Sequence, residues 1–242
     1  MEIARVYGHL TLPDVRRVLA CLHEKEVRFE AVDGSMSYQD LPLFFKLQAT
    51  GHVPADPAFE DGQTKLFDSR VICRYVAEKY VKQGNQRLLG RDFLERASIE
   101  RWLKLEENRF EPPSSALVFH LAFAPHFKLK PDRVLIEKSE RDLMKVLDIY
   151  DQRLSENRFL AGEEFTLADL FHLPNSDYII NSTDKGYLFS KRKNVSRWWE
   201  DISTRPSWKK CHQTFPSFHI FHYPSIPNHL PIFTHFVNSN SL

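Results

Sequence analysis

The stretch AFEDGQTKLFD (58–68) constrains the fold more than any other part of the chain. Two runs that alternate apolar and polar residues meet at Asp61-Gly62, a dipeptide that favours the tight turn of a β-hairpin. An antiparallel strand pair therefore belongs to the sheet. Upstream, EIARVY (2–7) and VRFEAV (27–32) read as two further strands. Between them Val15, Val18, Leu19 and Leu22 recur at helical spacing, with Arg16, Arg17 and Glu24 expected on the other face. Two strands joined by a helix make a parallel pair, so one small sheet carries both kinds of pairing, with helices on its flanks. YQDLPLFFKLQAT (38–50) is expected to form a short, imperfect helix, because Pro42 can stand only near its start. After the hairpin, Asp68-Ser69 opens the helix SRVICRYVAEKYV, with Val71, Ile72, Tyr75 and Val76 on one face.

The second part of the chain has a different character. KQGNQRLLGRD (82–92) is polar and turn-rich, and its residues 84–92 read as a linker between a first domain (1–83) and a second (93–211). From Phe93 onward the pattern is helical almost throughout. DFLERASIERWLKLEENRF (92–110) runs to Pro112-Pro113, which are expected to break or kink it. SSALVFHLAFAPHF follows, then the long amphipathic DRVLIEKSERDLMKVLDIYDQRLSEN. FTLADLFHL starts with Thr166-x-x-Asp169, a capping box in which Thr166 caps and Asp169 reaches back. KNVSRWWEDISTRPSWKKC supplies the last helices, which Trp198 and Trp199 are expected to pack. The tail, 212–242, holds no Asp, Glu, Lys or Arg, five of the eleven histidines and four of the fourteen prolines. It reads as an irregular, poorly packed extension; a metal-binding or partner-binding arm is the alternative.

Composition removes several classes of function. A net charge of +1, with no basic cluster carrying interleaved aromatics, argues against nucleic acid as a partner. The three cysteines are odd in number and form no CxxC pair, which favours a reducing compartment without a disulfide framework. There is no signal-like start and no apolar stretch of membrane-spanning length, so a cytoplasmic protein that leaves the membrane alone is expected.

The mixed sheet resembles the thioredoxin-like arrangement. Joined through a short linker to an all-helical domain with a capping box, it resembles the cytosolic glutathione transferases, and its residues are similar to those of the plant phi class. The matching stretches are RVLACLHEKEVRFE, FEDGQTKLFDSRVICRYVAEKY, LLGRD, ASIERWLKLEE, LDIYDQRLSENRFLAGEEFTLADLFHLPN and WWEDISTRPSWKK. They cover about 1–211 and leave out the tail. The resemblance implies an α/β thioredoxin-like N-terminal domain that binds glutathione and an all-α C-terminal domain that shapes a second, apolar pocket. It also implies a detoxifying homodimer that conjugates glutathione, its co-substrate, to small hydrophobic electrophiles, with no metal and no other cofactor. A free thiol titrates near pH 8.5, roughly, so such an enzyme must favour the thiolate with a hydrogen-bond donor and a helix N-terminus.

Carried over position by position, the resemblance meets departures. The phi-class serine at the start of the first helix falls on Leu12, which has no hydrogen to donate. Thr11, one residue earlier, has one. It either caps the first helix, with Asp14 completing a T-x-x-D box and Pro13 in the first turn, or stands in as surrogate donor. Asp68-Ser69 matches the family's acid–serine pair. Ser69 and the helix start would bind the γ-glutamyl carboxylate and Asp68 the amine, a role that can coexist with capping. Gln39 and Asp40 stand where a His-Lys pair usually meets the glycyl carboxylate. Gln39 can still donate; the lost cation costs about 1–3 kcal/mol. The family's cis-proline falls on Pro54 or Pro57. Pro57 keeps the count to the hairpin, so Asp56 rather than Val53 would precede it and pair with the cysteinyl part of glutathione. For the apolar pocket the candidates are Leu12, Phe119 and Phe123, with Phe110 and Leu117 nearby, a stripe that reads equally as core. Arg16 and Arg17 read as surface or domain-contact residues. Turnover is expected to be impaired. The rival reading is a non-catalytic, ligandin-like carrier of glutathione or hydrophobic metabolites; a protein-interaction module has no specific support. Thiol transfer is disfavoured, since no cysteine lies near Leu12.

Overall fold

The computed structural model describes residues 3–32 and 57–214. The helix expected over 38–50 and the tail beyond 214 lie outside the described residues. Four strands form one sheet in the order β2-β1-β3-β4. β1 (Ala4–Tyr7) runs parallel to β2 (Phe29–Val32), with Ala4 opposite Phe29. It runs antiparallel to β3 (Ala58–Asp61), with Val6 opposite Phe59. β4 (Thr64–Phe67) closes the hairpin, pairing Asp61 with Thr64. The two loop residues are thus Gly62 and Gln63, one position on from the expected centre. Gly62 adopts φ 63°, the left-handed conformation that such a turn requires.

α1 (Pro13–Glu24) and α2 (Ser69–Lys79) pack against each other beside this sheet. The expected apolar face of α1 is buried, but so are Arg16, Arg17 and Glu24. That corrects the expectation of a solvated polar face. The helix is enclosed on more than one side, and its polar groups are used to hold neighbours. Arg16 lies 3.4 Å from the His212 ring, and Glu24 accepts from the Asn85 side chain at 3.1 Å. Lys25, just past the helix, donates to the Asn85 carbonyl at 2.8 Å. Gly84 makes that approach feasible: a Cβ there would sit 2.2 Å from the Glu24 carbonyl oxygen. On α2 the buried stripe is Ile72, Cys73, Val76 and Ala77, whereas Val71 is 48% exposed, so the face is rotated from the expected one.

A second compact unit spans Arg87–Lys210. α3 (Phe93–Leu105) is capped by Asp92, whose carboxylate accepts from the Leu94 and Glu95 amides. Helical backbone then continues through a π-helical segment (Glu106–Phe110), α4 (Glu111–Leu117), a second π-helical segment (Val118–Phe123) and α5 (Ala124–His126). Pro112-Pro113 therefore do not break the helix. They occupy the first turn of α4, where a missing N–H is cheap, and the wider winding just before them absorbs the register change. α6 (Arg133–Glu156), α7 (Leu167–Leu170), α8 (Leu173–Ser182), α9 (Tyr187–Ser190) and α10 (Lys193–Ser203) complete the unit. α11 (Pro206–Thr214) follows and carries helix three residues past the expected start of the tail.

At the centre of this unit lies the expected capping box. Asp169 is fully buried, and its carboxylate accepts from the Thr166 amide at 3.1 Å and the Leu160 amide at 3.0 Å. It also accepts from the Trp198 indole at 2.9 Å, which ties α7 to α10. Removing this carboxylate strands several buried donors, each costing about 1–3 kcal/mol. Asp169→Ala is expected to lower the unfolding free energy by at least about 3 kcal/mol, read from the denaturant midpoint.

Candidate functional site

The starts of α1 and α2, both in the first unit, form the candidate site. α1 begins at Pro13, whose fixed φ suits a first helical position. The N-cap is therefore Leu12, in extended backbone (φ −69°, ψ 133°), and no side chain caps the helix. The Thr11 cap is corrected here. With Leu12 at N-cap, the third helical position is Val15, so Thr11 and Asp14 sit one residue out of register for a capping box. Leu12 itself is 3% exposed and packs into the core. The Thr11 hydroxyl turns instead to His9 Nδ1 at 2.7 Å, and the Thr11 amide points at the same nitrogen at 3.4 Å.

At the start of α2, Asp68 is the N-cap. Its Oδ1 accepts from the Arg70 amide at 2.8 Å and the Val71 amide at 3.0 Å. Its backbone lies at φ 72°, a conformation unusual for a residue with a side chain. Ser69 follows, 3% exposed. Its hydroxyl donates to Asp14 Oδ1 at 2.7 Å and accepts from Arg17 Nη1 at 2.7 Å, while Arg17 also pairs with Asp14. Arg17 has no exposed surface, so of its two expected roles, surface or domain contact, the first is corrected. The sequence carried a faint signal of this role: an acid three positions earlier on the same helix, the spacing that lets two side chains meet.

The other predicted site residues fall in three groups. Pro57 is buried directly ahead of β3. Gln39, Asp40, Val53, Pro54 and Asp56 lie outside the described residues. In the helical unit, Phe110 and Leu117 are fully buried. Phe110 packs 4.5 Å from the His172 ring and Phe123 5.1 Å from Tyr178, so both act as core. Phe119 alone of these aromatic candidates is half-buried. Among the described residues no group of three or more His, Cys, Asp or Glu is placed to hold a metal ion. No helix among them is long and apolar enough to cross a membrane.

A mixed sheet followed by a helical unit, with two helix starts clasped together in the first, defines the class of the protein, and comparison with known proteins agrees. Residues 4–78 match the family model of the glutathione S-transferase N-terminal domain, and 110–206 that of the C-terminal domain. Glutathione S-transferase F11 of Arabidopsis thaliana is 42% identical over 210 residues, covering 86% of this chain and 96% of that protein. Arabidopsis F9 is 43% identical over 211 residues, covering 86% and 95%. Among solved structures, glutathione transferase F2 from Populus trichocarpa is 51% identical, with a TM-score of 0.79 over 87% of this chain and 98% of that one. The chain belongs to the glutathione S-transferase family, within its F (phi) class.

The clasp orders two substitutions. Asp14→Ala takes a carboxylate from a wholly buried guanidinium and is expected to lower stability by about 3 kcal/mol or more. Arg17→Met, which leaves a partly exposed carboxylate behind, is expected to cost less. Urea unfolding of both variants checks the order.

Proposed function

We propose that the protein conjugates glutathione to small hydrophobic electrophiles, with weak ionisation of the thiol. The family membership supports the reaction. One observation carries the second half: the residue at the N-cap of α1 is Leu12, which has no donor. The thiolate would be favoured by the α1 start alone, without the hydroxyl whose removal from such a site typically slows a reaction by about a hundredfold or more. In this reading residues 1–83 hold glutathione, 84–92 link, and 93–211 shape the second, apolar pocket, with Phe119 a contributor. Asp68 and Ser69 meet the γ-glutamyl end. Gln39 meets the glycyl end, where the neighbouring Asp40 would repel the carboxylate if close, and the backbone beside Pro54 or Pro57 meets the cysteinyl part. The protein acts as a cytoplasmic homodimer, and glutathione is a co-substrate rather than a resident cofactor.

The test is an assay with glutathione and an activated aryl halide. Wild type should turn over slowly. Leu12→Ser, shown folded by circular dichroism, should raise kcat/KM by about a hundredfold. An unchanged rate in the folded variant contradicts the placement of the thiol. Tight binding of hydrophobic dyes without turnover in either protein would point to a carrier instead.

A further inference from the structure

α1 and α2 carry a pair of reactive groups that the proposed chemistry leaves unused. Cys21 and Cys73 are wholly buried where the two helices pack. Each sulfur lies against the backbone that carries the other. Cys21 Sγ is 3.6 Å from the Cys73 carbonyl oxygen, and Cys73 Sγ is 3.6 Å from the carbonyl oxygen of Arg17, one turn before Cys21 on the same face of α1. The side chains also meet each other: after burial itself, the hydrogen bond and charge of Cys73 push the Cys21 thiol well above its ordinary range. Helices in contact run about 8–10 Å apart, which leaves facing α-carbons roughly 5 Å apart, within the span that a disulfide bridges. Both thiols are reduced in the structure.

We propose that Cys21 and Cys73 are a reversible redox pair, which a peroxide closes into a disulfide that staples α1 to α2. In the first step the thiolate of one attacks a peroxide oxygen; the O–O bond breaks, the sulfur becomes a sulfenic acid and one water leaves. In the second the other thiolate attacks that sulfur; the S–O bond breaks, the S–S bond forms and a second water leaves. Two thiols and one hydrogen peroxide become one disulfide and two waters: the sulfurs are oxidised, the peroxide oxygens are reduced, and the thiol protons end in the waters. In a reducing compartment the resting pair stays as thiols. Neither sulfur is exposed and the Cys21 thiol is protonated at neutral pH, so the oxidation is slow and answers sustained exposure. A bond between residues 52 apart removes freedom from the unfolded chain, and it holds the same two helices that the Arg17 clasp holds.

The test treats the folded protein with millimolar hydrogen peroxide, records the intact mass, blocks the remaining thiols with an alkylating agent and maps the peptides without reduction. Wild type should lose about 2 Da and yield a linked peptide pair holding Cys21 and Cys73, and dithiothreitol should restore the mass. Cys211→Ala should behave as wild type, whereas Cys21→Ala and Cys73→Ala should give no link. The oxidised protein should melt roughly 5 °C or more above the reduced one. If either alanine variant fails to fold, the wild-type map decides alone. Gain of oxygen at either thiol in place of the link, a link through Cys211, thiols still free after overnight exposure, or a melting point that the bond leaves unchanged overturns the inference.

Discussion

A guanidinium with no surface exposed to water must find acceptors inside the protein, and for Arg17 they include Asp14 and Ser69. Everything at the candidate site depends on that requirement. Asp14 lies in the first turn of α1 and Ser69 is the first residue of α2, so satisfying one buried charge holds two helix starts together. Charge burial of this kind adds little net stability against a well-packed apolar alternative, but it penalises any arrangement that separates the partners. The thiol groups of Cys21 and Cys73 lie along the same contact, each 3.6 Å from a backbone carbonyl of the facing helix. The sheet supplies a platform, and the Arg17 clasp decides where the helix starts stand on it.

How legible this was depended on the range of the interaction. The hairpin and the Thr166–Asp169 box were readable because a turn and a cap are local chemistry, settled within four residues. The Thr11 box was misread because the same local signal allows two registers, and Pro13 chose the second by starting the helix. Arg17 was misread because a charge in an amphipathic pattern normally faces water, and its partner Ser69 is 52 residues away. The unbroken helix through Pro112-Pro113 was hidden for another reason. Periodicity has no signature for a π-helical turn, so a proline pair reads as a stop. The aromatic stripe read equally as pocket or core, and long-range contacts decided part of it: Phe110 packs against Tyr150 of α6 and against His172, in the turn ahead of α8.

The two helix starts differ in what they offer a ligand. The start of α2 carries an exposed carboxylate, a hydroxyl of defined polarity and a strained cap residue, the marks of a surface built to be occupied. The start of α1 offers its dipole and an apolar side chain, and the Thr11 hydroxyl lies 2.7 Å from His9 Nδ1. In the proposed reading, the frame that seats a tripeptide is separable from the group that ionises its thiol.

The most direct measurement of that separation is the thiolate ultraviolet absorbance of bound glutathione as the pH is raised. The account predicts half-ionisation close to the free thiol's own value, about 8.5, because no side-chain donor at Leu12 stabilises the anion. A bound thiol already ionised at neutral pH would contradict it.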